Sequence, residues 1–181
     1  ALGKAIGGGL PIGAFGGKAE ILSRFDPTAE NAFHHSGTFN ANPITMAAGA
    51  AAVKHLDAAA IDHINHLGER LRCGILEAFQ EAGISGFASG EGSLLYVHWS
   101  ADRVVNATDV ARWKKKAGDL PRLMHLALLN QGVFTANRGM FNISTPMEVN
   151  HIDLAIGAFS EALNTLKSYV AEMAPHLLSE A

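Results

Sequence analysis

The run Leu2-Gly3-Lys4-Ala5-Ile6-Gly7-Gly8-Gly9-Leu10-Pro11-Ile12-Gly13-Ala14-Phe15-Gly16-Gly17 sets one ammonium among small and apolar residues that cannot neutralise it. Glycines on both sides let backbone or a bound molecule approach without a Cβ in the way. Burial of Lys4 among such neighbours favours the neutral amine, the form that attacks a carbonyl carbon. Two readings are open on these residues alone: a reactive, desolvated lysine, or a surface lysine beside a flexible glycine loop.

Spacing disposes of two other glycine-rich motifs. A phosphate-cradling loop of the form G-x-x-x-x-G-K-[ST] would need glycine at Ile12 and a hydroxyl at Ala19. A dinucleotide fingerprint G-x-G-x-x-G counted from Gly7 and Gly9 falls on Ile12, and no strand is expected before the run.

The segment from Lys4 to Gly17 instead resembles the active-site segment of the class III pyridoxal-phosphate-dependent aminotransferases, a family that includes glutamate-1-semialdehyde aminomutase. A second block, Gly37-Thr38-Phe39-Asn40-Ala41-Asn42-Pro43, is similar to the family's Gly-Thr-x-x-x-Asn-Pro segment. The resemblance implies that Lys4 holds pyridoxal 5'-phosphate as a Schiff base, and that Gly37 and Thr38 face the phosphate of the cofactor bound in the neighbouring subunit of a homodimer. On its own, Thr38 also reads as a loop hydroxyl or a cap for the alanine-rich stretch that follows. The chemistry suits the assignment. A lysine amine exchanges its imine with an incoming amine, and the freed amine is then a base beside the substrate carbon. Phosphate dianions favour charge-assisted hydrogen bonds from hydroxyl and amide donors.

With 181 residues and 48% apolar content, the chain can bury a core. The family pattern, however, also requires an aspartate for the pyridine nitrogen, a ring-stacking aromatic and a phosphate loop ahead of the lysine. Only three residues precede Lys4. The expectation is therefore an α/β chain corresponding to the C-terminal half of a fold-type I transferase, with residues 1–58 a remnant of the large cofactor domain and 59–181 a small α/β domain.

Other classes find little support. The formal charge of −3 gives no basic excess for nucleic acid, and Lys114-Lys115-Lys116 reads as a solvated helix face. No apolar run approaches the ~20 residues that span a bilayer. The single Cys73 fits a reducing compartment, and cytoplasm is the expected location. His34-His35 and the pair His63 and His66 match no ligand pattern, so no metal is expected.

Apolar periodicity and turn residues predict the elements. Residues 44–56 are expected to form a helix. A second helix over 61–79 carries Ile61, Ile64, Leu67, Leu71, Ile75 and Phe79 on one face and ends at Gly83. Gly90-Glu91-Gly92-Ser93 turns the chain into a buried strand over 94–99. A helix over 120–129 ends at Gly132, followed by strands over 133–135 and 140–144 about the turn Asn137-Arg138-Gly139. The last helix presents Ile152, Ile156, Phe159, Leu163, Leu166 and Val170. Its start is open between Thr145-Pro146 with Glu148 and Asn150 with Asp153.

Arg138 is the remaining candidate site residue. A guanidinium fork suits a bidentate grip on a carboxylate, although an exposed turn arginine would look the same in sequence. The resemblance favours the first reading. Aminomutases of the family carry glutamate near this place, whereas aminotransferases of β-amino acids carry an Arg-Gly turn for the substrate carboxylate. The expected function is amino transfer between an amino acid, possibly a β-amino acid, and a keto acid or aldehyde, with the chain alone inactive. Glutamate-1-semialdehyde 2,1-aminomutase, an isomerase, is one alternative, and a noncatalytic dimerising or regulatory module is another.

Overall fold

The computed structural model describes residues 1–178 and divides the chain into two units, Ala1–Ala60 and Ile61–Ala181. In the first unit, strand β1 (Leu2–Gly3) pairs antiparallel with β2 (Gly13–Ala14), in register Leu2↔Ala14 and Gly3↔Gly13. The sequence reading placed no strand before the lysine. Two residues of extended chain form one because Gly13-Ala14 returns alongside them. A short helix α1 (Ala19–Leu22) follows, then α2 (Pro43–Lys54).

Helix α2 begins where its chemistry dictates. Asn42 accepts hydrogen bonds from the amides of Ile44 and Thr45, both at 3.1 Å, and Pro43 occupies the first helical position, where a missing N–H costs nothing. Asn42, not Thr38, is thus the cap. Only Gly7, Thr45 and Gly49 are buried in this unit, while Phe39, Ile44 and Leu2 are more than 60% exposed (68%, 73% and 67%). By itself it therefore has no hydrophobic core.

The second unit has one. Helix α3 (Ala58–Ala82) contributes Leu67, Leu71, Ile75 and Phe79, all buried, as the periodicity predicts. Ile61, the first residue of the expected stripe, is 43% exposed. The chain then enters β3 (Phe87–Glu91) and β4 (Leu94–His98), an antiparallel hairpin in which Glu91 pairs with Leu94. The sequence reading saw only the turn and the second strand, because Ala88-Ser89-Gly90 carries little strand signal. Helices α4 (Ala107–Ala117) and α5 (Leu120–Asn130) lead to β5 (Met140–Asn142), giving sheet order β3-β4-β5.

Residues 133–135, expected as a strand, form none. An isolated bridge between Ala136 and Met140 is the only pairing there, and Phe134 is 86% exposed with no sheet to cover it. Helix α6 (Val149–Met173) closes the unit with Ile152, Phe159, Leu163, Leu166 and Val170 buried. It starts from neither expected cap. Glu148 is the cap residue, and the His151 Nδ1 reaches back to accept its amide at 2.9 Å. No single helix among the described residues is long and apolar enough to cross a membrane.

His98, at the end of β4, is buried. Its ring stacks on Phe87 at 4.9 Å and meets Trp113 edge-on at 5.6 Å, and its Nε2 shares a 2.6 Å hydrogen bond with Ser89 Oγ. Burial, and secondarily the charge of Lys114, holds its pKa below the ordinary value of 6.5. As pH falls below 6.5 the unfolded chain takes up the proton first. The stability present above that value is therefore lost progressively as pH falls toward the folded-state pKa, and the loss levels off below it. Urea midpoints measured from about pH 7.5 to 5 are expected to fall more steeply for the wild-type chain than for His98→Phe.

Candidate active site

The glycine-rich run folds onto helix α2. From β1 the backbone turns at Lys4, whose φ of 56° is left-handed, into a 3₁₀ turn over Lys4–Gly7. Gly8 also has positive φ (57°), and a Cβ there would lie 2.7 Å from the Ala48 carbonyl oxygen. A Cβ on Gly49 would lie 2.9 Å from the Ile6 carbonyl oxygen. Both contacts are with backbone, which cannot step aside. The glycines of the first block and Gly49 beyond the second thus do one job, seating the lysine turn on the helix.

Lys4 itself is exposed. The desolvation expected from its apolar neighbours does not arise within this chain, because the first unit has no layer over the turn. Left-handed φ is uncommon for a residue with a Cβ and costs about 1–2 kcal/mol, so the packing of the loop on α2 holds Lys4 there against local preference. The Gly37-Thr38 turn closes with Asn40 N donating to Gly37 O at 3.0 Å. Gly37 and Thr38 are exposed, and their amides donate to no acceptor among the described residues. A cavity of about 440 Å³ in this unit is lined by Pro11, Ile12, Gly13, His35, Phe39 and Asn40, with Ala41, Thr45 and Met46, but by neither Lys4 nor Thr38.

Arg138 belongs to the second unit, on the turn between the bridge at Ala136 and β5. Gly139 N donates to Ala136 O at 2.9 Å, and Val97 N donates to Gly139 O at 2.9 Å, which ties the turn to the middle of the sheet. The Arg138 guanidinium is exposed. Its one recorded contact is with the Met140 sulfur at 3.6 Å, and no carboxylate pairs with it among the described residues. Next to the turn lies a groove of about 830 Å³ whose lining includes His125, Phe134, Thr135, Asn137, Met140 and Leu154. His125 Nδ1 sits 3.2 Å from Thr135 Oγ1. The sequence reading gave none of these a functional role. Their signal is weak, because α5 and the loop after Gly132 bring them together only in three dimensions. Of the histidines weighed for metal, His63 Nε2 donates to Met147 O at 2.9 Å and His66 Nδ1 to Asp62 O at 2.7 Å.

Residues 1–163 match the family model for aminotransferase class III. The chain belongs to the class III aminotransferases. Beta-phenylalanine transaminase of Variovorax paradoxus is 37% identical over 162 residues, which are 87% of this chain and 36% of that one. The crystal structure of a beta-phenylalanine aminotransferase from the same organism matches at TM-score 0.80 and 34% identity, covering 99% of this chain and 39% of the other. Glutamate-1-semialdehyde 2,1-aminomutase of Methanopyrus kandleri is 33% identical over 168 residues, 91% of this chain and 38% of that enzyme. A solved structure described as a transaminase with PLP bound matches at TM-score 0.77 and 32% identity, covering 92% and 38%. The chain thus has the fold of part of a fold-type I transferase and spans under two-fifths of the length of these relatives. The cofactor of the family is pyridoxal phosphate.

The residues present suit that cofactor. An exposed primary amine on a turn held by backbone contacts can meet a carbonyl carbon, and the exposed Thr38 hydroxyl with the free Gly37 and Thr38 amides makes a donor set for a phosphate dianion.

Proposed function

We propose that this chain carries the lysine of an enzyme that moves an amino group between an amino acid and a keto acid or aldehyde. The observation that carries the reading is the presentation of Lys4: a left-handed turn, seated on α2 by backbone contacts at Gly8 and Gly49, leaves its amine exposed. When bound, pyridoxal phosphate supplies an electron sink for the carbon that loses its proton. Lys4 Nζ would hold the cofactor at its carbonyl carbon. When not so engaged, the same nitrogen would accept the proton from the amine-bearing substrate carbon and deliver it to the atom that is protonated in the product. Gly37 and Thr38 donate to the phosphate across a homodimer, as the resemblance implies.

Arg138 receives the substrate carboxylate. Its guanidinium has no carboxylate partner among the described residues, so it can offer both arms of the fork. This favours amino transfer over the aminomutase alternative, for which a glutamate is expected near this place. In the polypeptide that carries this chain, Arg138→Ala is expected to raise KM for the carboxylate substrate by about 10- to 100-fold, the loss of a charge-assisted bidentate bond worth about 1.5–3 kcal/mol, with a smaller change in kcat. Steady-state kinetics with an amino donor and an external keto acid measures both. Isomerisation of glutamate-1-semialdehyde without an external acceptor would overturn the transaminase reading. Absence of any cofactor absorption band from that polypeptide would favour the noncatalytic module.

A further inference from the structure

A small pocket in the second unit lies behind the sheet's exit loop. Its volume is about 180 Å³, below the ~300 Å³ at which sites for drug-sized ligands begin. Trp99, Trp113 and Leu177, all buried, form its apolar wall. Four basic side chains surround it: Arg103 from the loop after β4, Arg112 and Lys116 from α4, and His176 from the 3₁₀ turn Pro175–Leu177. Lys116 neighbours both Trp113 and Arg112 on α4, three and four residues before it, which brings the three to one side of the helix.

The acidic residues in the lining offset part of this charge and leave a net cationic rim. Asp109 is already engaged, one oxygen accepting from the Val105 amide at 3.2 Å and the other 3.6 Å from Arg112 Nη1. The Asp102 carboxyl, Arg103 and Lys116 have no ion-pair partner among the described residues, so two cationic groups face one acidic one. The indole Nε1–H of Trp113 is buried and has no acceptor among the described residues. An occupant must therefore be small, carry one negative charge for the cationic rim, and have an apolar body for the indoles and leucine.

We propose that this pocket binds a small organic carboxylate. The assignment does not depend on the role of Lys4. Such a site would sense the chemical class to which amino acids and keto acids belong, apart from the residues that react with them.

Both tryptophans of the chain line the pocket, so their emission reports directly on its contents. The test titrates the chain with cyclohexanecarboxylate, with cyclohexylamine of the same shape and opposite charge, and with inorganic phosphate. Ligand-observed saturation-transfer NMR follows the same series independently of the emission. The carboxylate is expected to give a saturable response, weakened at least tenfold in the Arg103→Gln/Lys116→Gln double variant. Both replaced residues are exposed, and circular dichroism checks that the variant folds as the parent does. An equal response to the amine, tighter binding of phosphate than of the carboxylate, undiminished affinity in the folded double variant, or no saturable binding in either measurement would each overturn the proposal.

Discussion

Replacing Lys4 with alanine is expected to lower amino transfer by about 10²- to 10⁴-fold through loss of the proton carrier alone, and further through loss of the nucleophile. Single-turnover kinetics in the polypeptide that carries this chain measures the effect, and a residual rate within tenfold of wild type would place the reactive amine elsewhere. Folding is separable from chemistry here because Lys4 is exposed and left-handed. Lys4→Gly relieves the left-handed strain, so that variant should be at least as stable as the parent and equally inactive. A small primary amine in solution should restore part of the proton-transfer rate in either variant. Rescue that follows the amine's basicity would identify the missing function as proton transfer.

The candidate site stands out in the sequence where its residues lie in local order. Lys4 and the Gly37-Thr38 block stand out because glycines, a lone amine and a hydroxyl recur at fixed spacing, and the role of Gly8 and Gly49 in seating the turn is the physical reason for part of that spacing. Exposure was not legible. A run of apolar neighbours predicts a buried lysine only if other chain covers the run, and within the first unit nothing does. The long helices were read well for a related reason: Leu67, Leu71, Ile75 and Phe79 face a core that their own unit completes. The expected strand at 133–135 failed because β-prone residues form a strand only when a partner edge is available. The Ala136–Met140 bridge and the tie from Val97 to Gly139 use the available pairing. The start of α6 was misjudged because His151, not a carboxylate or amide, closes the reciprocal contact with the Glu148 backbone.

The second unit's stability should depend most on Phe79. Its side chain is 1% exposed, and its ring meets Trp99 edge-on at 5.3 Å and Phe159 at 5.4 Å, so one residue of α3 joins the end of the sheet to α6. Phe79→Ala removes the ring from both contacts and leaves a cavity that three separate elements would have to move to fill. The expected cost is about 3–5 kcal/mol, a large share of the roughly 5–15 kcal/mol that holds a domain together. Urea unfolding followed by tryptophan emission measures it, since Trp99 is one of the rings that would lose its neighbour. Ile61→Ala on the same sequence stripe is the matched control. At 43% exposure it should cost under about 1 kcal/mol. Equal losses at the two positions would mean that the stripe is buried along its whole length in solution. A loss at Phe79 alone would place Ile61 outside the core, to which α3 contributes buried side chains from Leu67 onward.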